Sequence, residues 1–167
     1  QHVAAMVEEG AQYRKHYRKP VGAPEDAQGT LILDENELAE GHEYFRLGAF
    51  SISRSGRWLA YATDTDGSER YVGRIKDLET GELLPDEIPN LRSGLTWVMD
   101  DKALVYGPST EEWRTLEAKL HVIGQPVSED VTLSEEKDES FGVSAGLSAQ
   151  EDWLIFAATE LAVARAA

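Results

Sequence analysis

The sequence predicts an all-β chain in which one four-stranded unit is written more than once. Two observations carry this. Short apolar runs closed by Gly, Asp, Ser and Pro follow one another from Phe50 onward, the mark of strands joined by tight turns. The runs also return at a nearly fixed spacing: Phe50 to Leu95 and Leu59 to Leu104 are 45 positions each, Leu95 to Phe141 is 46, and Leu104 to Leu154 is 50. Repeats of about 40 to 50 residues with four strands apiece are the signature of propeller blades. An immunoglobulin-like sandwich has short strands too, but they do not recur at a long fixed period. The predicted fold is therefore a partial β-propeller of about two to three four-stranded antiparallel blades.

The elements are read in chain order. Residues 1–29 are polar and mixed, with Tyr13, Tyr17 and Val21 as material for a first strand, and 23–29 form a loop rich in Pro, Gly and acid. Thr30-Leu31-Ile32-Leu33 is a short strand, and 34–41 make one helical turn capped by Asp34 and stopped by Gly41. Phe50-Ser51-Ile52, a turn at Ser55-Gly56, and Trp58-Leu59-Ala60-Tyr61-Ala62 give a strand pair. A turn at 64–69, a strand over 70–78, a turn at 79–82 and a strand opening at Leu83 complete the unit. The second copy runs from Leu95-Thr96-Trp97-Val98 through 102–106, 117–123 and 130–133. A third begins at Phe141-Gly142-Val143-Ser144 and continues through 151–156. The blades thus occupy 30–160, preceded by the segment 1–29 and followed by an alanine-rich tail, 161–167.

Composition narrows the function. No apolar run approaches the roughly 18 residues that cross a membrane as a helix, and Gln1 to Met6 lack the basic-then-apolar order of a signal peptide. The missing initiator Met is the expectation for a chain cut from something longer. The absence of cysteine excludes disulfides, thiolate metal sites and a cysteine nucleophile, and fits the cytoplasm. The net charge of -15, from 31 acidic and 16 basic side chains, repels phosphate and disfavours nucleic acid. The same field attracts Lys- or Arg-rich peptides.

Several stretches together resemble oligopeptidase B, of the prolyl oligopeptidase family of serine peptidases. They are 38–45 (Leu-Ala-Glu-Gly-His-Glu-Tyr-Phe), 64–71 (Asp-Thr-Asp-Gly-Ser-Glu-Arg-Tyr), 76–86, 124–130 and 135–139, and the likeness runs from about Glu8 to Glu160. The resemblance implies the N-terminal part of a seven-bladed propeller that caps an α/β-hydrolase domain carrying Ser, Asp and His. In such an enzyme the propeller shields the active site and admits only short peptides, which oligopeptidase B cleaves after Lys or Arg. The hydrolase domain is not matched by these residues, so no catalytic residue, metal or cofactor is expected here. The implied partners are that domain and short basic peptides. The other reading is a stand-alone acidic module that holds cationic peptides. Unpaired strand edges would let copies of an incomplete propeller associate.

Four motifs imitate chemistry. Gly142-Val143-Ser144-Ala145-Gly146 spells the nucleophile elbow, but that elbow needs a helix after it and Asp then His further on. No His follows His121, so Ser144 reads as a strand residue, where Ser53 stands in the earlier copy. Asp64, Asp66 and Glu69 around Gly67 suggest calcium, yet an EF-hand register puts Ala62 where an Asp is required, so the stretch reads as a hairpin turn. His42-Glu43 begins a zinc helix whose second His is replaced by Arg46. His2, His16, His42 and His121 show no metal-ligand spacing, and Trp58, Trp97, Trp113 and Trp153 read as packing between blades rather than as a cage. Glu69, where a turn meets a strand, is the one candidate for function, an interdomain ion pair with the hydrolase domain.

Overall fold

In the computed structural model, residues 2–138, 141–147 and 154–160 are described. The chain opens with three strands, β1 (His2–Met6), β2 (Lys15–Lys19) and β3 (Thr30–Asp34), paired antiparallel in the order β1-β2-β3. A one-turn helix, α1 (Glu35–Ala39), follows. The Asp34 side chain accepts the Asn36 amide at its start, satisfying one of the donors a helix N-terminus leaves free. Because β3 pairs with β2, the strand read at Thr30–Leu33 lies in this N-terminal sheet. β1 was not expected from its residues, since it buries little: Val3 and Met6 are both exposed.

The repeated units form one seven-stranded antiparallel sheet of β4 (Arg46–Ile52), β5 (Trp58–Asp64), β6 (Tyr71–Asp77), β7 (Leu83–Val98), β8 (Ala103–Pro108), β9 (Glu117–Val122) and β10 (Val131–Glu135), in that order. The two strands read separately at Leu83 and Leu95 are one strand of 16 residues, β7. Its first half pairs with β6, from Leu83↔Lys76 to Leu91↔Tyr71, and its second half pairs with β8, from Leu91↔Pro108 to Val98↔Ala103. Register shifts and left-handed backbone at Asn90 and Gly94 mark the change of partner. One strand is thus the last of the first unit and the first of the second, which is how a chain steps from blade to blade. A hairpin, β11 (Phe141–Leu147) with β12 (Leu154–Glu160), begins the third unit.

The core lies within and between these units. Ala60, Ala62, Ile75, Ile88, Leu91, Leu95, Trp97, Leu104 and Tyr106 form one cluster across the first two. Leu59 and Tyr61, on the opposite face of β5, pack with Leu33 and so seat the N-terminal sheet on the first unit. Each such Leu or Ile contributes about 1.5 to 3 kcal/mol by leaving water. Burial on both faces explains the apolar run in β5, where alternation would mark a strand with one wet face. Polar clasps join the units: the Trp97 indole N–H donates to the Ser51 carbonyl at 2.9 Å, and Asp101 accepts the amides of Arg54 and Ser55 at 2.9 and 2.8 Å.

Candidate functional site

The segment 64–70 is organised by one side chain. Asp64 ends β5 with 1% of its surface exposed. Its Oδ1 accepts the amides of Asp66 and Gly67 at 3.1 and 2.9 Å, and its Oδ2 accepts the amide of Glu69 at 2.9 Å. Asx-type turns of this kind let a short acid replace a strand partner. Gly67 takes φ +79°, as the hairpin reading requires, while Glu69 adopts φ 59°, a conformation that costs a residue with a Cβ about a kilocalorie or more. The Asp64 bond to the Glu69 amide holds it there. A hydrogen bond from Ser68 keeps the Asp66 carboxyl below its ordinary range.

This loop is fastened to its counterpart between β8 and β9. The Arg70 guanidinium stacks on the Trp113 ring at 4.1 Å and donates to the carbonyls of Thr110 and Glu111. Trp113 Nε1 in turn donates to the Ser68 carbonyl at 2.6 Å. Trp113, expected as packing between blades, instead stays 44% exposed on the rim with φ 56°. Trp97 is buried between units, Trp58 is half-buried beneath the Arg57 guanidinium, and Trp153 lies outside the described residues.

Glu69 borders a cavity of about 450 Å³ shared with Arg46, Gly48, Tyr71 and Arg92. Its carboxylate lies 3.7 Å from Arg92 Nη1 and is half-exposed, so the pair is weak and exchangeable. Burial pushes the Tyr71 phenol up, against the opposing pull of Arg46. The cavity lies at the ends of β4 and of the second half of β7 where Arg46 and Leu91 stand. The opposite ends of these strands border a larger one of about 550 Å³, lined by Ile52, Leu95, Trp97, Leu120, Leu133 and Leu154 among others.

Ser144 lies in the middle of β11 opposite Ala157, and the strand continues to Leu147, so it is a strand residue, as read. His42 is exposed in the turn after α1. His16 is buried, with Nε2 2.7 Å from Glu35 Oε2 and its ring stacked on Phe50. Among the described residues, no group of three or more His, Asp or Glu is placed to hold a metal. What the sequence did not signal is a buried set at His121, which lies between Asp86 and Asp130 at 2.7 Å from each. Its carboxylates stand 35 residues before it and 9 after it, and no local motif links them.

Comparison with known proteins fixes the family. A family model described as the prolyl oligopeptidase N-terminal β-propeller domain matches residues 5–164. The chain belongs to this family. Among curated relatives it is 38% identical over 125 residues to dipeptidyl aminopeptidase BI of Pseudoxanthomonas mexicana, covering 74% of this chain and 17% of that one. It is 33% identical over 142 residues to protease 2 of Moraxella lacunata, covering 82% and 21%. The chain therefore spans about a fifth of the length of the curated relatives it matches. Oligopeptidase B from Leishmania major shares the fold with a TM-score of 0.85 at 23% identity, over 90% of this chain and 21% of that one. Oligopeptidase B from Trypanosoma brucei, solved with covalently bound antipain, gives 0.79 at 28% identity over 88% and 21%. The partial propeller and the oligopeptidase resemblance read from the sequence both stand.

Proposed function

We propose that this chain is the substrate-gating propeller portion of a serine oligopeptidase that cleaves short peptides after Lys or Arg, with the chemistry supplied by a C-terminal α/β-hydrolase domain. The observation that carries the reading is the match of nearly the whole chain to a peptidase propeller while it spans a fifth of its relatives. Two further features support it. The net charge of -15 concentrates cationic peptides near the propeller, and Glu69 sits half-exposed on a rim whose loops are clamped together. In this reading Glu69 exchanges Arg92 for a cation of the hydrolase domain and helps hold the two domains closed. The proposed compartment is the cytoplasm, which fractionation of the native host checks. Val131 and Leu133 are exposed on β10, an edge of its sheet, and edge pairing between copies belongs to the same reading; sedimentation at two concentrations tests it.

The deciding experiment is the intact mass of the native gene product, with activity assayed on a short Arg-ending chromogenic peptide. A mass several times 18.5 kDa, with activity abolished by a serine-directed inhibitor, establishes the peptidase. A native product of this size without activity leaves the second reading, an acidic module that holds cationic peptides. Glu69→Ala in the full-length enzyme is expected to slow turnover without changing the stability of the propeller; unaltered kinetics would remove the interdomain role.

A further inference from the structure

The cavity of about 450 Å³ that Glu69 borders reverses the charge balance of the chain. The sequence holds 31 acids against 16 bases, yet this cavity is lined by two arginines, Arg46 and Arg92, and by one acid, Glu69. The fold brings the cations together. Arg46 opens β4, and Arg92 follows Leu91, the residue at which β7 changes partner. β4 and β7 run close to each other across the unit boundary, where the Trp97 indole bonds the Ser51 carbonyl. Tyr71 opens β6 opposite Leu91, and its ring lies against Gly48, where a Cβ would stand 2.6 Å from Cε1. Glycine at 48 is what leaves the ring room beside the cavity.

Neither cation is satisfied by the protein. Asp64 stands opposite Arg46 in the ladder of β4 and β5, but both of its oxygens accept amides of the 66–69 loop. Among the described residues, the Arg46 guanidinium has no hydrogen-bond or ion-pair partner. Arg92 faces Glu69 at 3.7 Å, beyond hydrogen-bond distance, and both side chains are partly exposed. Burial is the main influence on the Tyr71 phenol and pushes it up, so it stays protonated and able to donate. Its hydroxyl has no protein acceptor among the described residues. A guanidinium is always charged, and its planar fork fits a carboxylate through two parallel hydrogen bonds. Two such forks and a phenol donor therefore converge on one cavity with a single, loosely held carboxylate between them.

We propose that this cavity binds the C-terminal carboxylate of a short peptide, held by Arg46 and Arg92 with the Tyr71 hydroxyl as a further donor and Glu69 displaced from Arg92. The proposal rests on the reading of the propeller as a peptide-handling domain, but not on the Glu69 pair with the hydrolase domain. Charge selects the ligand. A net charge of -15 repels a phosphate dianion throughout its approach. A peptide that carries Lys or Arg and ends in a carboxylate is instead drawn in as a cation and then oriented by its one anionic end. The volume suits such an end, since pockets for small ligands run from roughly 300 to 1,000 Å³.

The test is calorimetric titration of the native gene product, at whatever length it is made and after treatment with a serine-directed inhibitor. The probes are the peptide Lys-Ala-Ala-Ala as its free acid and as its C-terminal amide. The general field of the chain favours the amide, which carries one positive charge more, so the two causes predict opposite orders. We expect the acid to bind about tenfold more tightly, the worth of one charge-assisted hydrogen bond. Arg46→Gln and Arg92→Gln should each abolish that preference while amide binding holds or strengthens, because both changes make the chain more acidic. Amide binding as tight as the acid, or a preference that survives both substitutions, would overturn the site. Inorganic phosphate that displaces the acid at equal concentration would make it a general anion site and overturn the peptide assignment. Binding and cleavage are read separately, so a product that prefers the acid but cleaves nothing sinks the peptidase reading and leaves this site standing.

Discussion

Asp64 shows how much one short side chain can organise when it is buried at the end of a strand. Its three accepted amides are the reason the loop after β5 can place Glu69 in left-handed backbone. Asp64→Ala leaves those donors without a protein partner, and since bonds to a charged group contribute about 1.5 to 3 kcal/mol each but are not additive, a loss of about 3 kcal/mol is expected in urea unfolding. A loss below about 1 kcal/mol would mean that water replaces the carboxylate without cost. Gly48 makes the opposite point, because there the missing atom matters. A Cβ at residue 48 would stand 2.6 Å from Tyr71 Cε1, so Gly48→Ala must displace the Tyr71 ring from the cavity that Glu69 borders. Overpacking of this kind costs about 1 to 3 kcal/mol. A crystal structure or the Tyr71 ring signals of the variant would show the movement.

At the scale of elements, the units are held by clasps as much as by apolar contact, and the clasps differ in what breaks them. Arg70 on Trp113 joins the loop after β5 to the loop after β8, so Trp113→Ala is expected to speed amide exchange in 64–70 as well as around the substitution. Faster exchange confined to 109–116 would mean that the loops hold themselves. Asp101 joins the turn after β4 to the turn after β7. Burial pushes its carboxyl up, but the hydrogen bonds from Ser55, Arg54 and Ser53 outweigh that and leave it below the ordinary range. A carboxylate held low contributes stability that is present above its unfolded value, near pH 4, and is lost as pH falls through the folded value. Asp101→Asn is therefore expected to flatten the acid limb of the stability curve, read between pH 5 and 2. The strands of these units were legible because their turns are written in Asp-Gly, Thr-Gly and Ser-Gly pairs and their apolar runs repeat. The continuity of β7 was not, since Pro85 and Pro89 punctuate the sequence without ending the strand. Nor was β1, whose exposed residues pair through backbone alone. The His121 set was hidden for a different reason: sheet pairing brings together residues that no spacing rule links.

For the whole molecule the dominant long-range quantity is charge. The excess of 31 acids over 16 bases leaves a net -15 to be accommodated on 167 residues. Self-repulsion of that size works against the compact state. The ion pairs that could offset it, such as Arg57 with Asp77 and Glu79 or Lys15 with Glu8, involve partly exposed side chains and so contribute little each. Salt acts on both, but unequally. Between about 0.01 and 1 M the screening length falls from about 30 to about 3 Å. Repulsion summed over many distant acids is therefore suppressed more than attraction across a pair in contact. The melting temperature is expected to rise steadily with sodium chloride, and binding of an Arg-rich peptide to weaken over the same range. If the melting temperature instead falls, the close pairs and the buried His121 set outweigh the net charge. The acidic surface would then be locally balanced rather than a field that gathers cationic peptides.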